Sequence, residues 1–276
     1  MLQVIDLSIE FHEREAEEVL RHVSFELQQG EILGIVGESG SGKTMTALAV
    51  AGLLKETAVI GSGAIWLEGT NLLALQRREW THYQGKEIGM IFQEPMTALN
   101  PTMKIGKQVE EALKLHTDLS KAERMKKAEQ ALLDVELENV KALYQKYPHE
   151  LSGGMRQRVM IAAAIVCRPQ VLIADEPTTA LDVYTQEQIL RLLKKLNQKY
   201  HMSILFISHN LRVVNQLCQR VLVMKEGKVI EEGLVEEIFD HPHEEYTKQL
   251  IEAIPIRTKN SHLQALIMKR AGEENG

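Results

Sequence analysis

The chain has 276 residues, of which 44% are hydrophobic and 25% charged, and this is the composition of an ordinary globular protein with a substantial core. Its net charge of −6 argues against nucleic-acid binding, which normally needs a basic surface, and 5% aromatic residues leave few platforms for stacking bases. Cys167 and Cys218 lack the spacing of metal ligands or disulfides and are typical of buried apolar positions in a reducing compartment. We see no signal peptide and no membrane-spanning apolar run, so any membrane role is expected to come through a partner.

The first 92 residues predict a series of strands. Apolar runs and alternations indicate strands at residues 2–11, 19–27, 32–36, 64–68 and 88–92. Turns are indicated at Gln29-Gly30, at Gly61-Ser62-Gly63 and at residues 69–71. Residues 45–54, rich in Ala, Leu, Met and Val, predict a helix.

A glycine-rich octet lies between the third predicted strand and this helix. It consists of Gly37, Glu38, Ser39, Gly40, Ser41, Gly42, Lys43 and Thr44. The pattern G-x-x-x-x-G-K-[ST] in this context is typical of a phosphate-binding loop, whose N–H groups and helix N-terminus face an anion. In such a loop Lys43 reaches the β- and γ-phosphates, and the Thr44 hydroxyl ligates Mg²⁺. The alternative is a Gly/Ser-rich surface turn, but the flanking strand and helix favour a nucleotide site.

The pattern becomes helical between about residues 103 and 166. Ser120 and Glu123 have capping-box spacing, which predicts a helix that continues to Leu133. Pro148 and the glycine pair at 153–154 interrupt the segment. We therefore expect a helical subdomain inserted into an α/β fold.

Strands and helices alternate again after this insert. Strands are predicted at residues 171–175, 203–208 and 220–224, and helices at 185–200 and 210–217. Thr185 and Gln188 have the spacing of another capping box, and Gly227 turns the chain into a last strand at 229–232. The tail from about residue 236 has a mainly helical pattern, with an amphipathic patch at 263–267. This alternation predicts a parallel sheet with helices on both faces.

The predicted strand at 171–175 ends in two carboxylates, Asp175 and Glu176. A buried strand that delivers an aspartate to the Mg²⁺ of the phosphate loop is the expected companion of that loop. Glu176 can then polarise the attacking water. Solvated carboxylates at a strand end are the alternative, which the phosphate loop makes less favourable.

Residues 151–158, Leu-Ser-Gly-Gly-Met-Arg-Gln-Arg, suggest a second site for an anion. Ser152 and the two following glycines open a predicted helix and expose N–H groups and a hydroxyl. Since one loop already serves the nucleotide, this element indicates another nucleotide face. Spacing alone leaves open an ordinary Ser N-cap followed by flexible glycines.

Six motifs follow one another in a fixed order. They are residues 37–44, Phe-Gln-Glu-Pro at 92–95, Leu-Ser-Gly-Gly at 151–154, Ala-Asp-Glu-Pro-Thr at 174–178, Ala-Leu-Asp at 180–182 and Ile-Ser-His at 207–209. With these motifs in this order, the chain resembles ABC transporter ATPase subunits over about residues 4 to 233. Residues 90–101, 153–162 and 238–247 resemble the branch that imports oligopeptides, dipeptides and nickel.

The resemblance implies an α/β fold: a RecA-like P-loop core with a parallel sheet, an antiparallel β subdomain and an inserted helical subdomain. It implies an ABC ATPase domain at residues 1–240, with the helical subdomain at about 96–166, and a C-terminal extension at 241–276.

The resemblance also implies catalytic roles. Gln93 would sense Mg²⁺ or the lytic water and couple to the membrane partner. His209 would hold the γ-phosphate and help to position Glu176 and the water. Thr44, Gln93 and Asp175 would be the metal-binding residues.

Other implied residues belong to the nucleotide and dimer contacts. Ser152, Gly153 and Gly154 would contact the γ-phosphate bound to the opposite subunit, and Asp182 would lie at the dimer interface. Phe11 falls where the family places an aromatic ring on adenine, with a core-facing strand residue as the alternative.

Some positions depart from the family pattern. Met155 stands where Gln is commonest, and Glu244-Glu245 replace His-Pro before Tyr246-Thr247. His241 and His243 do not indicate a nickel site, because they lack supporting ligands and the solute of such importers passes through other subunits.

The resemblance implies the ATP-hydrolysing subunit of an importer for peptides or nickel, with ATP and Mg²⁺ as cofactors, at the cytoplasmic face of the membrane. The expected partners are a second ABC ATPase (a heterodimer, with a homodimer as alternative), membrane permease subunits contacted through residues 96–101 and, indirectly, a solute-binding protein; nucleic acid is not expected.

Three alternatives explain less of the sequence. A soluble ABC ATPase of translation or DNA maintenance would need a second cassette or a long coiled coil before Leu151. A phosphate-loop kinase or GTPase does not account for residues 151–154. A regulatory nucleotide-binding module predicts loss of the carboxylate at Glu176.

Overall fold

The computed structural model describes residues 1–12, 16–94, 98–179 and 181–254. In chain order the strands are β1 (Leu2–His12), β2 (Ala16–Leu27), β3 (Ile32–Val36), β4 (Ala58–Leu67), β5 (Thr70–Asn71), β6 (Ile88–Ile91), β7 (Val171–Asp175), β8 (Ser203–Ile207), β9 (Arg220–Lys225) and β10 (Lys228–Leu234). The α-helices are α1 (Lys43–Ala51), α2 (Arg77–Trp80), α3 (Ile105–His116), α4 (Lys121–Asp134), α5 (Val140–Leu143), α6 (Gly153–Ile165), α7 (Val183–Tyr200), α8 (Leu211–Leu217), α9 (Val235–Asp240) and α10 (Glu245–Glu252).

The larger sheet has six strands in the order β10-β9-β3-β8-β7-β6. Its strands are parallel except β10, which pairs antiparallel with β9 after the predicted turn at Gly227. The predicted parallel sheet is therefore confirmed. Because parallel strands end at the same edge, the residues that follow β3, β6, β7 and β8 meet there, which is where α/β folds bind ligands.

Apolar side chains cover both faces of this sheet. In β3, Ile32 and Val36 belong to one core cluster, whereas Leu33 and Ile35 belong to the other. The first cluster includes side chains of α3, α4, α6, α7 and α8, and the second includes those of α1 and the antiparallel sheet. A strand buried on both sides explains the continuous apolar run that predicted it.

The smaller sheet is antiparallel, in the order β2-β1-β4-β5. The predicted turn at Gly61-Ser62-Gly63 is wrong, because these residues lie inside β4, where Ser62 pairs with Ser8 of β1. Gly63 has φ +103°, and a Cβ there would lie 2.7 Å from the carbonyl oxygen of Ile5. Glycine permits an irregularity and a close approach of two strands here, so its presence does not mark a chain reversal.

The segment between β6 and β7 is helical, as the sequence predicted. The capping box of α4 is formed: Ser120 Oγ accepts from the Glu123 backbone, and the Glu123 side chain accepts from the Ser120 backbone. The apolar faces of α3, α4 and α6 pack into the first core cluster, which joins the helical subdomain to the sheet.

The predicted capping box at Thr185 and Gln188 is wrong. Helix α7 begins two residues earlier, at Val183, and Asp182 is its N-cap. Aspartate and threonine are both good N-cap residues, since either side chain can accept a hydrogen bond from the N3 amide. Spacing alone therefore could not decide between Asp182 and Thr185 as the cap.

Helices α9 and α10 follow β10, and Tyr246, Ile251 and Ile254 are buried in the first core cluster. The predicted amphipathic patch at 263–267 lies outside the described residues. Within the described ranges, no helix is both long and apolar enough to cross a bilayer.

Candidate functional site

The glycine-rich octet connects β3 to α1 at the carboxyl edge of the large sheet. At Gly37 a Cβ would lie 2.2 Å from the Met224 carbonyl oxygen, so only glycine fits against the end of β9. Gly42 is the N-cap of α1 in a left-handed conformation, with φ 101°. The N-terminus of α1 and the loop amides thus lie together, an arrangement that binds anions.

Lys43 is buried and its ammonium lies against the loop itself. Its Nζ donates to the carbonyl oxygens of Gly37 (2.8 Å) and Glu38 (2.7 Å), and it lies 3.4 Å from Ser41 Oγ. Burial lowers the pKa of Lys43, while nearby carboxylates, Glu176 first, raise it. The ammonium is thus held beside the loop, where its charge favours a phosphate.

Thr44 and Asp175 bring two oxygen atoms together at the start of α1. Thr44 Oγ1 donates to Asp175 Oδ1 over 3.4 Å, and Asp175 ends β7 with only 4% of its surface exposed. Burial first, and the neighbouring Glu176 carboxylate second, raise the pKa of Asp175 to about 6. A hydroxyl and a carboxylate at this spacing fit a hard cation such as Mg²⁺, which takes oxygen ligands.

Replacing Asp175 with asparagine should raise the stability of the chain in buffer free of Mg²⁺ and nucleotide. Asn keeps an oxygen for Thr44 but removes a buried charge that faces Glu176. We expect a gain of about 1–3 kcal/mol at pH 7.5, measured by denaturant unfolding.

The direction of this change in stability follows from the raised pKa of Asp175. The gain in stability should be complete above pH 6, shrink as the pH falls, and vanish below about pH 4, where Asp becomes protonated in the unfolded state as well. Asp134→Asn is the matched control. Burial alone would raise the pKa of Asp134, but hydrogen bonds from Lys199, Tyr200 and Gln130 hold it below its usual range, so this variant should lose stability. An Asp175→Asn variant that is no more stable than the wild type at pH 7.5 would contradict the prediction.

Three side chains converge on the carboxylate of Glu176. Gln93 Nε2 donates to Glu176 Oε2 over 3.2 Å, Thr179 Oγ1 donates to the same oxygen over 2.8 Å, and His209 Nδ1 lies 3.0 Å from it. The Glu176 backbone is left-handed, with φ +46°, which is uncommon for a residue with a side chain and typical of functional sites.

The topology explains this convergence. Gln93 follows β6, Glu176 follows β7 and His209 follows β8, and these three strands are adjacent and parallel. The sequence predicted Gln93, Glu176 and His209 as separate motifs, and the structure brings them together at one point. The surroundings can orient a carboxylate that accepts a proton from a water molecule.

Thr179 was not singled out in the sequence. The turn after β7 places it by a backbone hydrogen bond from Thr179 N to Glu176 O of 3.1 Å. A hydroxyl three residues after a carboxylate is a weak signal by itself. The turn that brings the two side chains together, with its left-handed backbone at Glu176, is a feature of the structure that the spacing does not record.

The second predicted anion site has a different location. Ser152 is the N-cap of α6, its Oγ accepts from Met155 N over 3.3 Å, and Gly153 faces open space. Asp182 caps α7 by accepting from the Thr185 amide and hydroxyl, and these hydrogen bonds hold the pKa of its carboxyl below the usual range. Both caps line a cleft of about 810 Å³ together with Gly154.

This cleft is separate from the phosphate loop. Among the described residues, those that line it come from α5, α6, α7 and the segments that precede these helices, and none belongs to residues 37–44. Phe11 lies half-buried towards the end of β1, beside β2 and β4. Its predicted stacking on adenine stays a prediction. Pro95 and Ala180, which belong to two of the six motifs, lie outside the described residues.

Comparison with known proteins decides the family. The ABC transporter family profile matches residues 20–179, more than half of the chain. This chain belongs to the ABC transporter ATPase family. The order of the six motifs predicted this membership, and it is confirmed.

The curated relatives are transport ATPases. A probable peptide ABC transporter ATP-binding protein of Sinorhizobium fredii is 45% identical over 261 residues, which cover 94% of this chain and 78% of the relative. The dipeptide transport ATP-binding protein DppD of Lactococcus lactis subsp. cremoris is 44% identical, covering 97% and 76%. The glutathione import ATP-binding protein GsiA of Salmonella typhimurium is 47% identical over 92% of this chain, which spans 42% of GsiA.

Solved structures agree with the fold. The ATP-binding cassette MJ0796, seen as a dimer with ADP and Pi after hydrolysis, is 30% identical, with a TM-score of 0.76 and coverage of 85% of this chain and 99% of that one. CbiO1 of Clostridium perfringens, part of the complex cbiONQ, has a TM-score of 0.75 at 29% identity over 87% of this chain and 90% of its own. The predicted RecA-like core with antiparallel and helical subdomains is thereby confirmed.

Membership of the family establishes the activity class. This ABC ATPase is an importer subunit that hydrolyses ATP with Mg²⁺. Such subunits dimerise, work with membrane permease components and are peripheral to the membrane. Nothing in these comparisons favours a role in translation or DNA maintenance.

Replacing Thr179 with valine should reduce kcat for ATP hydrolysis by about tenfold while leaving the KM for ATP nearly unchanged. Valine has the same shape but cannot donate to Glu176, and hydrogen bonds to charged groups contribute about 1.5–3 kcal/mol. Gln93 and His209 still face the carboxylate, so the loss is partial. Steady-state ATPase kinetics measure both constants.

Thr179→Ser is the control, since it keeps the hydroxyl. A serine variant as slow as the valine variant would show that the methyl group matters more than the hydrogen bond.

Proposed function

We propose that this chain powers import of peptides, by hydrolysing ATP at Glu176 in a site shared between two ATPase subunits. The convergence of Gln93, Thr179 and His209 on Glu176, beside the Thr44–Asp175 pair, is the observation that carries the catalytic part of the proposal. The names of the relatives support the solute class, since they are peptide, dipeptide and glutathione transporters. None of these names mentions nickel, so peptides are the better candidate.

Each residue of the site has a proposed task. Lys43 and the amides of residues 39–44 hold the β- and γ-phosphates, and Thr44 and Asp175 hold Mg²⁺. Gln93, which contacts Glu176 next to Asp175, is the third proposed ligand. The Mg²⁺ ion, when bound, neutralises charge that develops on the phosphates. Glu176 accepts a proton from the attacking water, and His209 orients both Glu176 and the γ-phosphate.

The cleft between α6 and α7 supplies the second half of the site. Ser152, Gly153 and Gly154 face this cleft at the N-terminus of a 13-residue helix, where an anion is stabilised. Their separation from residues 37–44 supports a γ-phosphate contact on the opposite subunit. Asp182 then lies at the interface between the subunits. We propose a heterodimer with a homologous ATPase, with a homodimer as the alternative.

A groove at the edge of the large sheet is the proposed contact for a permease. It encloses about 330 Å³ between β6, α3 and α6, and its lining includes Leu53, Phe92 and Leu99. Leu53 and Phe92 are exposed apolar side chains. Gln108 of α3 holds the adjoining segment by hydrogen bonds with Asn100 and Met103. Phe92 directly precedes Gln93, so movement of a partner in this groove would reach the catalytic carboxylate.

We also propose that the chain lies at the cytoplasmic face of the membrane and that a solute-binding protein acts indirectly through the permease. Reconstitution tests it. The chain would be inserted into liposomes with the permease, partner ATPase and binding protein encoded by neighbouring reading frames, and uptake of labelled dipeptides, oligopeptides and nickel would be measured. We expect ATP-dependent uptake of peptides.

Omitting the binding protein should abolish stimulated ATP hydrolysis and uptake together. Uptake of nickel without any peptide uptake would overturn the proposed solute class and leave the ATPase activity standing.

A further inference from the structure

The hydroxyl of Tyr246 touches the phosphate loop from a distant part of the chain. Glu38 N donates to Tyr246 Oη over 3.0 Å, across 208 residues of sequence. Tyr246 lies on α10 and is 9% exposed. Burial raises the pKa of its phenol, so the hydroxyl stays neutral and the contact does not depend on charge.

This contact fixes one particular peptide unit. The amide of Glu38 and the carbonyl of Gly37 belong to the same planar peptide, and they point in opposite directions because the bond is trans. Tyr246 accepts from its N–H, while Lys43 Nζ donates to its C=O over 2.8 Å. Rotation of this peptide would break both hydrogen bonds, so Tyr246 and Lys43 hold it from opposite sides.

The position of Tyr246 is itself fixed by the core. Glu231 of β10, only 8% exposed, accepts from the amides of His243 (2.7 Å) and Glu244 (3.2 Å), immediately before α10. Lys225 Nζ lies 5.0 Å from the centre of the Tyr246 ring. The start of α10 is therefore anchored to β10, which pairs with β9. The Met224 carbonyl of β9 in turn lies against Gly37.

We propose that Tyr246 is a positioning residue for the phosphate loop. It holds the Gly37–Glu38 peptide in the orientation that keeps Lys43 beside the phosphate site, with Glu231 fixing Tyr246 through the start of α10. Since the predicted C-terminal extension begins at residue 241, its first helix becomes a functional part of the nucleotide site.

Tyr246→Phe tests this role, because it removes only the hydroxyl and keeps the ring over which Lys225 lies. We expect about fivefold weaker binding of ATP by the full chain, from the loss of one hydrogen bond to a partly buried amide. The KM for ATP should rise while kcat is kept, and the Glu38 amide should exchange with solvent faster in hydrogen-exchange measurements. Tyr83→Phe, at a tyrosine packed against the other core cluster, is the matched control and should change none of these.

A second variant keeps the test independent of the phenylalanine packing. Glu231→Gln should also weaken ATP binding. Because both substitutions act on one contact, the double variant should bind ATP no more weakly than the single variant with the lower affinity. Wild-type affinity in Tyr246→Phe would overturn the proposal. So would weaker binding without faster exchange at Glu38, since the hydroxyl would then act elsewhere, and so would additive losses in the double variant.

Discussion

Replacing Glu176 with glutamine should leave ATP binding intact and lower the ATPase rate by at least about 100-fold. Glutamine is nearly isosteric and still accepts hydrogen bonds at one oxygen, so Gln93, Thr179 and His209 keep their partner. It cannot accept a proton from water at neutral pH, and general-base catalysis contributes about 10²–10⁴-fold. The rate would be measured by phosphate release with the partner ATPase present, and the affinity by titration with ATP.

Glu187→Gln provides the control, because Glu187 is a carboxylate of α7 whose hydrogen bond is to Arg191 on the exposed side. It should hydrolyse ATP at the wild-type rate. Near-normal hydrolysis in Glu176→Gln would refute the assignment of Glu176 as the catalytic base.

Replacing Lys43 with alanine should act on binding itself and weaken ATP affinity by about 10- to 100-fold. The variant loses a buried ammonium whose charge-assisted hydrogen bonds to phosphate contribute about 1.5–3 kcal/mol. It also leaves the carbonyls of Gly37 and Glu38 without their donor and leaves Asp175 and Glu176 without the neighbouring positive charge. Calorimetric titration of ATP into the chain measures the loss.

Lys55→Ala is the matched control, because Lys55 is an exposed lysine after α1. Its affinity for ATP should equal that of the wild type. An unchanged Kd in Lys43→Ala would contradict the proposed role of the phosphate loop.

The sequence was sufficient for those parts of the site that depend on one strand and the residues that follow it. Residues 37–44 and Glu176 follow a buried strand and Asp175 ends one, and parallel pairing brings strand ends to one edge. Local pattern also predicted the capping box at Ser120 correctly, since it depends only on residues three apart.

Features that depend on distant contacts could not be predicted in this way. Gly61-Ser62-Gly63 suggested a turn, but pairing with β1 keeps the run extended. Tyr246 reaches Glu38 from the far end of the chain. In each case a tertiary contact decides the outcome, and no local periodicity records it.

The separation of the two halves of the site has the largest consequence for mechanism. Residues 37–44 lie at the sheet edge, and Ser152, Gly153 and Gly154 line a cleft that contains none of them. A nucleotide held by one half lacks the donors of the other half within the same chain. ATP binding is therefore expected to draw two subunits together, and hydrolysis to release them.

Sedimentation velocity of the Glu176→Gln chain tests this claim most directly. With Mg²⁺ and ATP, alone or mixed with the proposed homologous partner ATPase, the chain should form a two-subunit complex, and with ADP it should sediment as single subunits. A chain that binds ATP yet remains a single subunit under both conditions would contradict the shared site.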